Sequence, residues 1–126
     1  MTTRRTFLAA GAAAFATALA APAIGQTRAG TFAGASGHVT RGTARLVERN
    51  GRYTIELGED FFFDGAPDPK VGLGANGYDP RTNLGPLQSD TGAQSYAVPR
   101  NIRAGAYNEI WIWCERFNVP LGVARL

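Results

Sequence analysis

The stretch TARLVERNGRYTIEL, from Thr43 to Leu57, alternates apolar and polar residues on both sides of an Asn-Gly pair. Ala44 and Leu46 share one side of the first run, and Tyr53, Ile55 and Leu57 share one side of the second. A period of two belongs to a strand, whose successive side chains point to opposite faces. Asn50-Gly51 supplies the positive φ angles that a two-residue hairpin turn needs, so the segment is predicted to be a β-hairpin. After Arg28 no stretch sustains the three-and-four apolar spacing of a helix, and no repeat of fixed period occurs. Further strands are expected over Thr31 to Ala35, His38 to Arg41, Phe61 to Phe63, Lys70 to Gly74, Gln94 to Val98, Glu109 to Arg116 and Val119 to Leu126. The clusters DGAPDP and GANGYDPRTNLGP end strands without starting helices. The expectation is an all-β fold: an antiparallel β-sandwich or barrel-like single domain of about 7–9 short strands. The long segment from Gly74 to Pro86 is expected to be a loop available for movement or binding.

The N-terminus has a different character. TTRRTFLAAGAAAFATALAAPAIGQ has a charged start, an apolar middle and small residues before a cut near Gly25, the layout of a signal peptide. Arg4-Arg5 followed by Thr6, Phe7 and Leu8 resembles the twin-arginine (Tat) export signal, with Ala9 where that signal usually has Lys. Residues 1–25 are therefore read as a signal helix and 30–126 as the folded domain, exported to the periplasm or secreted. Phe7 to Ile24 holds 18 residues without a charge, close to a membrane span. It is mostly Ala and Gly, and Pro22 interrupts it, so cleavage is the preferred reading and no membrane span is expected afterwards. Twin-arginine export carries folded proteins, which makes a bound cofactor worth considering.

Charge narrows the partners. Without Arg4 and Arg5 the 13 basic residues become 11 against 10 acids, so the formal charge falls from +3 to +1. The arginines are scattered singly among acids, with no run suited to a row of phosphates, so no nucleic-acid partner is expected. Gly72, Gly74 and Gly77 have the spacing of a dinucleotide loop, but the chain continues into Tyr78-Asp79-Pro80 and not into a helix whose N-terminus could hold a pyrophosphate. No nucleotide is expected. Glu59, Asp60, Asp64 and Asp68 are interrupted by Phe61 to Phe63 and lack the alternation of a calcium loop. One histidine and no Gly-x-Ser-x-Gly argue against a hydrolase triad.

Cofactor chemistry is limited by subtraction. One cysteine excludes a Cys-only iron-sulfur cluster and the C-x-x-C-H haem attachment, and Met1 as sole methionine leaves no thioether ligand in the domain. The remaining candidate ligands for a haem or metal ion are the thiolate of Cys114 and the imidazole of His38. Each also has a structural reading. A lone histidine in a Gly-rich turn is commonly a hydrogen-bonded structural residue. Strand alternation in EIWIWC puts Cys114 on the side of Ile110 and Ile112, opposite Trp111 and Trp113. If the isoleucine side is the core, the thiol is an inert buried hydrophobe; if the tryptophans face inward, Cys114 lies exposed beside Arg116 and can react.

The combined pattern resembles the DM-thirteen domain, a family described as an electron-transfer module. The resemblance rests on Gly37-His38 with Gly42-Thr43, Leu84-Gly85-Pro86-Leu87, Gln94 through Pro99, and above all Trp113-Cys114 with Phe117, Val119 and Gly122. It spans nearly all of Thr31 to Leu126 and departs from the family around FFFDGAPDPKVGLG, where Ala66 is inserted and Gly72 replaces an aromatic. It implies an extracytoplasmic β domain, often found beside DOMON and cytochrome-b-type membrane domains, in which the cysteine is a proposed redox centre. By that resemblance Cys114 is the first candidate catalytic residue, and Cys114 and His38 are the candidate cofactor ligands. The first functional reading is an exported redox module working with a separate redox partner protein or membrane cytochrome, an accessory domain more than a stand-alone enzyme. The second is a non-enzymatic binding or structural sandwich in which Cys114 is packed and Tyr78, Tyr96 or Tyr107 offers contact area at loop tips.

Overall fold

A computed structural model describes residues 25–126; the signal helix expected over 1–25 lies almost wholly outside them. The described residues form ten strands: β1 (Thr27–Gly34), β2 (Thr40–Arg41), β3 (Thr43–Arg49), β4 (Arg52–Leu57), β5 (Phe62–Phe63), β6 (Pro69–Gly74), β7 (Tyr78–Asp79), β8 (Gln94–Val98), β9 (Glu109–Cys114) and β10 (Val119–Arg125). Eight of them make one antiparallel sheet in the order β7-β6-β9-β10-β1-β3-β4-β8, curled into a half-barrel, while β2 and β5 pair separately. Among the described residues no helix is long and apolar enough to cross a membrane.

The Asn50-Gly51 hairpin forms with Arg49 opposite Arg52, and both turn residues have positive φ, 54° and 78°. Ala44, Leu46, Ile55 and Leu57 then fall on one face and are buried, whereas Arg45 and Glu56 face each other outside as a 3.3 Å ion pair. Register ties these facts together, because a slip of one residue would turn the apolar set to solvent. The curl is carried by β1. Thr27 to Thr31 pair with β3, and Phe32 to Gly34 pair with β10 on the other side. A bulge between Pro120 and Gly122 bends β10 where it meets β9.

The concave side holds a single core that includes Phe32, Leu46, Ile55, Phe61, Phe63, Leu73, Ile110, Ile112 and Leu121. Each such side chain contributes roughly 1.5–3 kcal/mol by leaving water. The convex side carries a second, smaller layer. The segment from Gly74 to Pro86, expected to be an open loop, folds back over β6. Its backbone continues the pairing of β6, with Leu84 N–H to Val71 O at 2.7 Å, Val71 N–H to Gly85 O at 3.1 Å and Leu87 N–H to Pro69 O at 2.9 Å. The buried Thr82 hydroxyl reaches back to β6, donating to Leu73 O at 3.0 Å and accepting from the Leu73 N–H at 2.7 Å. The segment therefore caps what would be a sheet edge, a use that turn-forming composition does not reveal.

Candidate functional site

Strand β9 is central in its half of the sheet, flanked by β6 and β10, and Cys114 lies opposite Pro69 on one neighbour and Val119 on the other. Its alternation resolves the choice left open by the sequence. Ile110 and Ile112 are fully buried, Cys114 is 1 % exposed, and all three belong to the concave core. The thiol is free and enclosed. Among apolar neighbours such a group behaves as a small hydrophobe. The exposed Arg116 is not placed to activate a sulfur that faces the core.

The tryptophans occupy the convex face. Tyr78 from β7 stacks on Trp113 at 4.6 Å between ring centroids with 17° between planes, and Trp111 meets Trp113 edge-on at 5.9 Å. Burial of the ring raises the Tyr78 phenol above its ordinary pKa. The indole N–H of Trp111 donates to Glu109 Oε1 at 3.0 Å, and the Gly77 N–H reaches the same oxygen at 2.9 Å. Glu109 is 4 % exposed, and its other oxygen lies 3.6 Å from Arg125 Nε. Beside this cluster Lys70 bridges Asp68 and Glu115, which hold its ammonium pKa above the ordinary value, Glu115 contributing more. The Gly-rich run of β6 fits under this layer. A Cβ at Gly72 would approach the Tyr78 ring to 2.6 Å, and one at Gly74 would come within 2.1 Å of Gly77 O and 2.5 Å of the Trp111 indole nitrogen. The glycine spacing thus reflects close approach of a covering segment.

His38 sits in the turn between β1 and β2. Its Nδ1 is 2.8 Å from Asp64 Oδ1, while Asp64 Oδ2 accepts from the Val39 N–H at 2.9 Å. The Val39 N–H and then His38 lower the Asp64 pKa. The imidazole also packs 5.7 Å from the Phe63 ring. These contacts fasten the β1–β2 turn to the chain after β5, the hydrogen-bonded role commonly met for a lone histidine. No hydrogen bond joins His38 to Cys114, and among the described residues no group of three His, Cys, Asp or Glu side chains is gathered for a metal. Joint haem or metal ligation by these two residues does not fit this arrangement, since the Cys114 sulfur is enclosed in the core while His38 lies in the β1–β2 turn.

The remaining sequence candidates also have structural partners. Asp60 accepts from the Thr43 N–H and hydroxyl, both at 2.9 Å, and the N–H is the larger cause of its lowered pKa. Asp79 accepts from Arg81 and from the Tyr107 hydroxyl at 2.7 Å, and these bonds hold it well below the usual carboxylate range. Tyr96 is buried, its hydroxyl accepting from the Gln88 N–H at 2.9 Å, and Tyr78 and Tyr107 are half-buried. None of the three is an exposed loop tip. Sequence reasoning did not find the cluster of Glu109, Trp111, Trp113 and Tyr78; the signal available was the glycine spacing opposite two alternate tryptophans.

A curled antiparallel half-barrel with an enclosed thiol and a covered aromatic face is an all-β architecture of the barrel-like kind expected from the sequence. Comparison with known families adds the rest: residues 31–126 match the family described as electron transfer DM13, and the chain belongs to it. It is in general terms a redox or electron-transfer module. Searches of curated proteins and of solved structures found no match.

Proposed function

We propose that the chain is an exported electron-transfer module that acts with a separate redox partner, reaching its compartment by the twin-arginine route that Arg4 and Arg5 resemble. Family membership across 31–126 is the observation that carries this reading. Burial of Cys114 supports a packing role for it within this reading. A single cysteine cannot form an internal dithiol couple, so its oxidation requires either exchange with another molecule's disulfide, which leaves a mixed disulfide and releases a thiol, or a peroxide that converts it to a sulfenic acid and is reduced to water or an alcohol. Both need the sulfur to be reached, and at 1 % exposure it is shielded in the folded state. Cys114 is accordingly a core residue, and electron handling depends on a group or partner that the thiol does not hold.

The experiment is to purify the protein from its native compartment and measure visible absorbance, metal content and the rate of Cys114 alkylation with and without urea. Expected are alkylation only on unfolding and a Cys114→Ser variant that keeps electron exchange with the partner while losing stability. Rapid alkylation of the native protein, or a stable Cys114→Ser variant that no longer exchanges electrons, makes the thiol the redox centre. Failure of the chain to exchange electrons with any extracytoplasmic redox protein removes the electron-transfer reading and leaves the binding module.

A further inference from the structure

Strands β4 and β8 pair with Tyr53 opposite Val98, which brings the end of the Asn50-Gly51 hairpin beside the segment that leaves β8. Between them is a cleft of about 410 Å³ lined by Arg52, Tyr53, Val98, Arg100, Arg103 and Ala104, among others. Three arginines, all exposed, thus line one cleft, and no Asp or Glu lines it. The volume is in the range of small-ligand sites. Its far wall is held by its own backbone bonds: Ile102 N–H to Pro99 O, Ala106 N–H to Arg103 O and Tyr107 N–H to Ala104 O. Gly105 lies against the Tyr53 hydroxyl, closing the two walls together.

Arg45, Lys70, Arg81 and Arg125 are each within 4.0 Å of a carboxylate, whereas Arg52, Arg100 and Arg103 have no ion pair among the described residues. All ten acids of the sequence lie between Glu48 and Glu115, within the described residues, and residues 1–24 contain none. Of the two acids four residues from Arg52, Glu56 pairs with Arg45 and the Glu48 carboxylate accepts from the Gly51 N–H. Arg49 adds a further positive charge opposite Arg52 in the hairpin register. At the other end of β3 and β4 stand Glu59 and Asp60.

From this geometry we infer that the arginine cleft binds a multivalent oxyanion in the form of clustered carboxylates. A guanidinium presents a planar fork of donors that matches a carboxylate in two-point contact, and three forks on a fixed wall recognise several carboxylates at once. Binding also relieves the mutual repulsion of like charges. The carboxylates can come from a free tricarboxylate or from the acidic face of a partner protein, and the site chemistry is the same. The inference does not depend on the electron-transfer reading.

The test uses citrate and a hexaglutamate peptide as probes, with binding followed by calorimetry and by backbone amide shifts at low salt. Expected are shifts confined to residues 51–53 and 98–106, and affinity that falls as salt screens the pairs. Combined R52Q, R100Q and R103Q replacement weakens binding by about tenfold, the sum of several exposed ion pairs, while R116Q, at the opposite end of β9, leaves it unchanged. Tighter binding of the peptide identifies a protein partner, and tighter binding of citrate a free small anion. Absence of both, shifts elsewhere, or equal binding by the folded triple variant overturns the site; circular dichroism establishes that the variant is folded.

Discussion

At the scale of the residue, Cys114 shows how one side chain answers to the strand that carries it. Alternation in β9 gives it the same face as Ile110 and Ile112, and the curl of the sheet makes that face the core. Replacing the sulfur should therefore reveal packing. Cys114→Ala removes one methyl-sized group and is expected to lower unfolding free energy by about 1 kcal/mol. Cys114→Ser retains the size but buries a hydroxyl among apolar neighbours, for about 1–3 kcal/mol. Urea denaturation of both variants checks the order, with serine at least as costly as alanine; a serine variant as stable as the parent would mean the sulfur meets solvent or a polar partner. His38 illustrates the complementary case of a polar residue fixed by a neighbour. Losing its bond to Asp64 in His38→Ala loosens the turn into β2, with an expected cost of about 0.5–1.5 kcal/mol in the same assay.

At the scale of the element, β6 and its covering segment depend on the absence of side chains. Gly74→Ala would drive a methyl group into Gly77 O and the Trp111 indole, so a loss of about 1–3 kcal/mol or more is expected, together with a change in tryptophan fluorescence. Gly51→Ala provides the contrast, because nothing lies within 4 Å of its added carbon and only the positive φ opposes it, at about 1 kcal/mol. The two glycines differ in what the sequence says about them. Gly51 is legible because an Asn-Gly pair between alternating runs is a local signal with a local cause. Gly72 and Gly74 are not, because their need for space arises from Tyr78, Thr82 and Trp111, distant in sequence or reached only when 74–86 folds back. The same distinction covers the strands: those with their own alternation were readable, whereas β7 and the early start of β1 at Thr27 exist through pairing with neighbours. The face of Cys114 stayed undecided for the same reason, since alternation defines two faces and only the sheet's curl says which is inside.

At the scale of the whole molecule, carboxylates tie together segments that the sheet alone does not join. Asp60 fastens the start of β3, Asp64 holds the β1–β2 turn, and Asp79 gathers Arg81 and Tyr107. All three have pKa values lowered in the folded state from an ordinary value of 3.8, because they accept hydrogen bonds in the ionised form. The unfolded chain therefore takes up protons first as pH falls, which pulls the equilibrium toward unfolding. Their contribution is fully present above about pH 5 and is lost progressively as pH drops through 3.8 toward the lower folded values. Urea midpoints should accordingly be level between about pH 5 and 7 with respect to these groups and should fall steeply below about pH 4. Asp79→Asn keeps an acceptor for Tyr107 but removes the charge facing Arg81, so it lowers the midpoint at neutral pH and makes the acid-side slope shallower. An unchanged slope in that variant would show that the Asp79 carboxyl titrates alike in folded and unfolded chains, and that the hydrogen bonds joining the 74–86 segment to Tyr107 do not select its ionised form.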